Sequence, residues 1–373
     1  MDFDLSDDQK LLRDSVDRVI ADRYGFEARR GFMAEPDGWS RTNWARFAEQ
    51  GLLGVPFAEA AGGFGGGAVE IALVMEAFGR GLVIEPYLST VLLAGRLLEA
   101  AGEHALVEQI AAGEMLMSLA HLERHSGWDL GDVTTEARPE GDLWRLSGVK
   151  SVVLHGDSAD QLLVTARMDG AQRDRAGIGV FLVAGDAAGL SRRGAATQDG
   201  QRVAEVTLAN VRARRLTFEG DALATLERVR DQAIAALCAE AVGVMAELHA
   251  ITVDYLKTRK QFGRAIGEFQ ALQHRAVDMY VALEQARSMA LYATLMADEA
   301  DATTRTAAIS AAKVQIGRSG RHIGQEAVQL HGGIAMTMEY KLGHYFKRMT
   351  MIEEMFGSAD THLESVATAE SIL

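Results

Sequence analysis

Cysteine is nearly absent: Cys238 is the only one in 373 residues, which excludes an intramolecular disulfide and any multi-cysteine metal site. It lies in the apolar stretch "IAALCAEAVG", where a small buried hydrophobe is expected in place of a reactive thiol. Proline is scarce too. The four present (Pro36, Pro56, Pro86 and Pro139) all precede residue 140, so the remainder is free to form long uninterrupted helices. Basic charge is in deficit, with a net −14 that argues against a general nucleic-acid binder, since phosphate neutralisation needs a basic face. It leaves room for a local phosphate site. The start, "MDFDLSDDQKLL", carries acids where a signal peptide needs cations, and no run approaches the ~20 apolar residues of a membrane span. A soluble, cytoplasmic location away from membranes is the expectation. No H-E-x-x-H occurs and the histidines are scattered, so no metal site is expected.

What is present falls into three textures, read as α+β. Residues 1–115 read as an N-terminal helical domain. In "LSDDQKLLRDSVDRVIADRY" Ser6 is a natural N-cap, with acids in the first turn and apolar residues at helical spacing. "SRTNWARFAEQGLLG" and "AVEIALVMEAFGRGL" repeat the pattern, each closing on glycine. Residues 116–221 hold short β-branched runs, "DLWRLSGVKSVVLHG", "DQLLVTARM", "GIGVFLVAG" and "RVAEVTLANV", without helices between them. An antiparallel barrel or sandwich is predicted there. Residues 222–373 return to helical periodicity in long segments, the first some 35 residues or about 50 Å long, as in an antiparallel helical bundle.

Three motifs invite chemistry. "GGFGGGA", residues 62–68, formally contains G-x-G-x-x-A, with Glu85 near the spacing of a ribose-binding acid. The dinucleotide fingerprint needs a preceding strand, and none is read here, so a flexible loop is preferred. "YLKTRKQFGRAIGEFQ", residues 255–270, sets four cations against one glutamate where one helix ends and the next begins near Phe269–Gln270. Arg259 and Gln261 could meet a diphosphate while Phe262 packs on a ring; a solvated helix C-terminus complementing its dipole explains the same cations. In "QEAVQLHGGIAMTMEY", Gly332 and Gly333 either end a helix or let backbone N–H groups approach an anion.

Taken together, "YLKTRKQFGRAIGEFQALQHRAVDMY" and "QLHGGIAMTMEYKLGHYFKR" resemble the acyl-CoA dehydrogenase family. The likeness extends over the acidic first helix, "EPYLST", the β-rich middle and the closing bundle. It implies an N-terminal helical domain, a middle antiparallel β domain and a C-terminal four-helix bundle. It also implies FAD as cofactor, an acyl-CoA substrate and α,β-dehydrogenation, with electron-transferring flavoprotein as acceptor. Family members bind FAD between subunits, and the matching motifs embrace the ADP half of a neighbour's FAD. Carried over residue by residue, this assigns cofactor contact to Arg259, Gln261, Phe262, Gln270, Gln329, Gly332 and Gly333. A shared cofactor implies at least a dimer, and the family suggests a tetramer.

The departures concern the reacting half of the site. The usual glutamate precedes Gly-Thr or Gly-Ser near the C-terminus; in "MIEEMFGSAD" that place holds Phe356. The other family location, on the first bundle helix, holds Ala233, followed by Ile234 where relatives have arginine. In the loop matching "LERHSGWD", Glu123, Gly127 and Asp129 remain, while Leu122 and Trp128 replace threonine and serine. Val152, Val153 and Leu154 stand where Trp-Ile-Thr usually meets the flavin. The pattern resembles the small subunit of heteromeric acyl-CoA dehydrogenases, of the kind assigned to pimeloyl-CoA or steroid side-chain oxidation, whose homologous large subunit carries the base. Two other readings stand beside it. One is a self-sufficient homo-oligomer using Glu240, Glu353 or Glu354. The other is a non-enzymatic binding or scaffold protein on the same fold.

Overall fold

The structure, a computed structural model, describes residues 4–369. Its elements run α1 (Asp7–Arg23), α2 (Phe26–Met33), α3 (Arg41–Glu49), α4 (Ala68–Gly81), a π-helical stretch Tyr87–Gly95, α5 (Arg96–Ala100) and α6 (His104–Ala111). Seven strands follow: β1 (Met117–Ala120), β2 (Glu136–Glu140), β3 (Leu143–Leu154), β4 (Gln161–Arg167), β5 (Ile178–Ala184), β6 (Leu190–Ala196) and β7 (Arg202–Arg215). The chain closes with α7 (Ala222–Thr258), the two-residue strands β8 (Lys260–Gln261) and β9 (Arg264–Ala265), then α8 (Gln270–Met296), α9 (Ala302–His331), α10 (Lys341–Glu354) and α11 (Ala359–Ala369). Ser6 caps α1 as read: its hydroxyl accepts from Gln9 N, and the Gln9 side chain accepts from Ser6 N, a capping box.

Two compact units result. One contains α1, α4, α8 to α11 and α7 from Ile234 onward; the other contains α3, α5, α6, the seven strands and the chain up to Ala233. In the second unit the pairings run β4–β2–β3–β7–β5 and return to β4, closing a ring, with β6 added on β7. Most pairs are antiparallel, but β1 and β2 both lie parallel to β4, so the ring is not the purely antiparallel one expected. Inward residues such as Leu146, Val164, Phe181 and Val206 fill this core. The sequence reading took in four of these strands. It did not single out β1, β2 or β6, which are short, carry Pro139 in β2, or are largely exposed as in β6.

In the first unit α7 is long and apolar enough to cross a membrane by length and composition alone, contrary to the expectation that no such run exists; most of that window is buried within the chain. Cys238 sits on it, fully buried, with its thiol pushed up to about 12 by that burial. Helix α4 crosses α7 without a side chain between them. A Cβ on Gly79 would lie 2.0 Å from the Glu240 carbonyl oxygen, and one on Gly243 would lie 2.0 Å from that of Glu76. The two backbones can meet only because both positions lack a side chain. Above the crossing, buried Arg348 of α10 holds Glu240 through two hydrogen bonds, at 2.6 and 2.8 Å.

Gly243→Ala is therefore expected to lower stability by at least about 2 kcal/mol, read from thermal or denaturant unfolding. Gly31→Ala in α2, where a Cβ meets nothing within 4 Å, should be neutral or stabilising by up to ~1 kcal/mol.

Candidate functional site

The corner after α7 is built by a tight reversal. Strands β8 and β9 pair Lys260 with Ala265 and Gln261 with Arg264, leaving Phe262–Gly263 as a two-residue loop. Both loop residues have positive φ, 52° and 82°, the combination of a type I′ turn. Glycine suits that turn, whereas an aromatic side chain there is strained. Phe262 is nevertheless 91% exposed, its ring touching only the edge of Phe269 at 6.1 Å. Arg264 lies over the Phe269 ring at 4.2 Å. The turn hugs the end of α7: a Cβ on Gly267 would be 2.8 Å from the Leu256 carbonyl oxygen.

Helix α8 then starts at Gln270 behind Phe269, which offers no side-chain cap. The N–H groups of Leu272 and Gln273 donate to the Phe269 carbonyl at 2.9 and 3.2 Å, so it is the N–H groups ahead of them, at the tip of the helix, that can turn to solvent or to an anion. Helix α9 runs antiparallel to α8, as the Arg275–Glu326 ion pair and the Gln285–Gln315 contact show. Gln329, Gly332 and Gly333 therefore lie at the same bundle end as Gln270. Gly332 has φ 67° and ψ −146°, a conformation open essentially to glycine alone, and open space surrounds the Cβ positions of both glycines. His331, buried, stacks on Tyr255 at 4.3 Å and meets Tyr340 at 5.5 Å, tying the ends of α7 and α9 to the loop before α10. Its Nδ1 donates to the Ala327 carbonyl at 2.8 Å, and burial lowers its pKa, so it stacks as neutral imidazole.

Arg259, Gln261, Phe262, Gln270, Gln329, Gly332 and Gly333 are all exposed. Guanidinium, amides, an uncapped helix start and an exposed ring at one bundle end fit the phosphates and base of a dinucleotide.

The turn carrying Phe356 is held by its backbone. Phe356 has φ 58° and Gly357 φ 112°. The buried Lys313 ammonium donates to the carbonyls of Ile352 (2.8 Å), Glu353 (2.8 Å) and Gly357 (3.1 Å). Burial pulls its pKa down to about 8. His362 donates from Nε2 to the Phe356 carbonyl at 3.1 Å. No carboxylate occupies the turn's apex. Glu353 is buried against Arg321 at 2.6 Å, and Glu240 is committed to Arg348. Glu354 is exposed, with its pKa raised by desolvation and then by Glu353.

In the other unit, Glu123 is an internal anchor. It accepts from Lys150 Nζ (2.7 Å), Thr134 N (3.0 Å), Thr135 N (3.0 Å) and the Thr135 hydroxyl (2.7 Å). Burial would raise its pKa, but Lys150 and these donors prevail and bring it to about 2. Beyond Lys150 the β3–β7 register slips before Val153, a β-bulge. Val152 takes φ 50°, an outlier for a β-branched residue, and stands half-exposed. Val153 is buried and Leu154 only partly covered. The bulge presents residue 152 outward, but a valine offers an isoalloxazine no flat face. These side chains present no stacking face to the ring half of a flavin.

The glycine loop 62–68 follows a 3₁₀ turn, Glu59–Ala61, not a strand, which removes the fingerprint reading. Glu85 is instead a buried carboxyl with neither oxygen at hydrogen-bonding distance of a partner; desolvation dominates, and the backbone N–H groups of Glu85 itself, Ser40 and Ile84 pull only weakly against it. The sequence pointed to Glu85 only as a ribose-binding acid and not as a buried carboxyl, and it left Lys313 unnoticed, although a lone lysine in "AAISAAKVQIG" was a usable signal.

Family models match the chain over its whole course: "Acyl-CoA dehydrogenase, N-terminal domain" over residues 6–114, "middle domain" over 118–211 and "C-terminal domain" over 222–370. Acyl-CoA dehydrogenase IpdE2 of Mycobacterium tuberculosis is 31% identical over 92% of this chain and 91% of its own. Probable acyl-CoA dehydrogenase YngJ of Bacillus subtilis is 27% identical over the full length of both. Among solved structures, a variant of the Tcur3481–Tcur3483 steroid ACAD superposes with TM-score 0.88 at 30% identity, covering 98% of each chain. The ChsE4–ChsE5 complex from Mycobacterium tuberculosis shares the fold, at TM-score 0.88, 24% identity and 100% coverage of both chains.

Burial pushes Glu85 up to about 8 from 4.5. A raised folded-state pKa contributes stability that is complete below about 4.5 and lost as pH rises through 8. Stability should therefore fall by up to a few kcal/mol between pH 5 and 8, read as a declining melting temperature. Glu85→Gln should flatten that decline.

Proposed function

The chain belongs to the acyl-CoA dehydrogenase family, and from that premise we propose that it supplies the ADP-gripping half of a shared FAD site to a homologous, base-carrying partner chain. The family's chemistry is FAD-dependent oxidation of the CH–CH bond of an acyl-CoA. FAD, when bound, supplies the hydride acceptor. The contribution proposed for this chain is positioning. Arg259 and the start of α8 take the phosphates, Gln261, Gln270 and Gln329 orient the dinucleotide by their amides, and Phe262 covers its base. Gly332 and Gly333 allow close backbone approach.

The observation that carries the reading is a contrast in completeness. The corner is uncovered and holds Phe262 in a strained, outward conformation, while Phe356 stands at the apex of the reacting turn. Phenylalanine accepts no proton, and general-base catalysis needs a carboxylate within hydrogen-bond reach of the α carbon's proton. The steroid ACAD that this chain resembles at 30% identity is named for two components. That supports a two-chain assembly. Electron-transferring flavoprotein as acceptor follows from the resemblance.

Glu354 gives a self-sufficient enzyme its best residue, being exposed with a raised proton affinity. The purified single chain separates the two readings. It should hold well under stoichiometric FAD and reduce an artificial acceptor with acyl-CoA at background rate. Assembled with its partner, Arg259→Ala should weaken FAD retention about ten-fold or more, one lost charged contact being worth ~1.5–3 kcal/mol, and Phe262→Ala by up to about ten-fold, a ring contact being worth ~0.5–1.5 kcal/mol. Stoichiometric flavin and robust turnover by the lone chain, abolished by Glu354→Gln, would establish the rival. Glu240→Gln should instead destabilise the fold by about 3 kcal/mol through its buried ion pair.

A further inference from the structure

The loop that carries Gly332 and Gly333 folds back onto the first turn of α10. A Cβ on Gly343 would lie 2.7 Å from the Ala335 carbonyl oxygen, so the glycine there lets the loop's backbone rest on the helix. One residue on, His344 is buried, and its Nε2 donates to the Met338 carbonyl at 3.1 Å. The Lys347 ammonium, one turn further, reaches the Met338 sulfur at 3.2 Å. On its other side the imidazole meets α2. Arg29 Nη1 reaches His344 Nδ1 at 3.4 Å, and Phe26 packs edge-on against the ring at 5.0 Å. Arg29 is itself buried, its Nε donating to the Leu82 carbonyl at 2.7 Å.

A guanidinium has hydrogens to give and no lone pair to offer, so Nδ1 must be the accepting nitrogen and the ring's single proton sits on Nε2. The tie to α2 therefore needs the neutral form. A second proton, on Nδ1, would set one cationic donor against another across 3.4 Å. Among the described residues, the charged groups that act on the ring are Arg29 and Arg30 of α2 and Lys347 of α10, all cations. Glu27, the one acid of α2, is paired with Arg30. Glu339 of the loop is exposed and adds no pull. Burial, with these cations, holds His344 below the usual imidazole range, although its bond to Met338 works the other way.

We propose that His344 is a positioning residue, a latch that ties the 332–338 loop to α2 at neutral pH and releases it on acidification. The stability that the latch contributes is complete above the imidazole's ordinary value of about 6.5 and is lost as pH falls below it. Gly332 and Gly333 open the same loop, so its release would loosen the corner's hold on a dinucleotide. That last consequence rests on the shared-cofactor reading; the latch itself does not.

The test is hydrogen–deuterium exchange of the full-length chain from about pH 8 to about pH 5, each rate divided by the chemical rate at that pH. Exchange in the 332–345 segment should rise about five-fold or more on acidification, the factor that one lost hydrogen bond corresponds to. The core of α9 around the buried Ile316 should stay protected. His344→Gln keeps a donor for the Met338 carbonyl and an acceptor for Arg29 but takes up no proton, so it should hold the loop at both ends of the range. His344→Ala should expose the loop throughout. His331 is also held below its ordinary value by burial, so a pH response that survives in H344Q would pass the role to that ring. That result, an unresponsive wild-type loop, or a loop in H344A as protected as the wild type at neutral pH would overturn the proposal. Flavin retention by the partnered chains that ignores the loop's release would count against the proposed function alone.

Discussion

The helical unit depends on a crossing with nothing in it. Because Gly79 and Gly243 let the backbones of α4 and α7 meet, the height of Glu240 on α7 is set, and with it the place where Arg348 must arrive. That buried pair fixes α10. Helix α10 ends in the Phe356 turn, whose carbonyls are gathered by Lys313 from α9. Each link is a close approach or a buried cation with no tolerance for a wrong register. The desolvation cost of burying Arg348 and Lys313 is offset only while all their acceptors stay in place.

At the opposite extreme of the bundle the organising force is aromatic. Tyr255, His331 and Tyr340 stack across three segments, and burial keeps the imidazole neutral. Such a clasp positions the hairpin without consuming any of its polar groups. The cations of the corner are consequently left facing outward, the arrangement needed if the anion they meet belongs to another chain.

Much of this was legible in one dimension. The capping box at Ser6, the long α7 and the restart of helix at Gln270 are local features, written in residues three or four apart. Less legible was anything joining distant segments. Glu240 looked like a spare carboxylate because Arg348 lies 108 residues away. Lys313, alone in an apolar run, announced its burial but not the carbonyls it would meet, and Glu123 gave no sign that Lys150 and two threonines would enclose it. The strain at Phe262 was invisible as well: Phe-Gly is not a hairpin dipeptide, and only the pairing of β8 with β9 shows that both residues turn left-handed. Local propensity predicted segments, whereas buried charge and backbone strain, which mark the site, arise from tertiary closure.

The clamps on the Phe356 turn all grasp main-chain oxygens. The turn's backbone path is therefore secured by contacts that do not use the apex side chain, even though Phe356 is itself buried there. The main-chain shape can outlast a change of apex residue, with the fit of the new side chain in its buried place as the remaining cost. A chain of this kind can stay faithful to its ancestral outline for as long as some neighbour needs it as scaffolding.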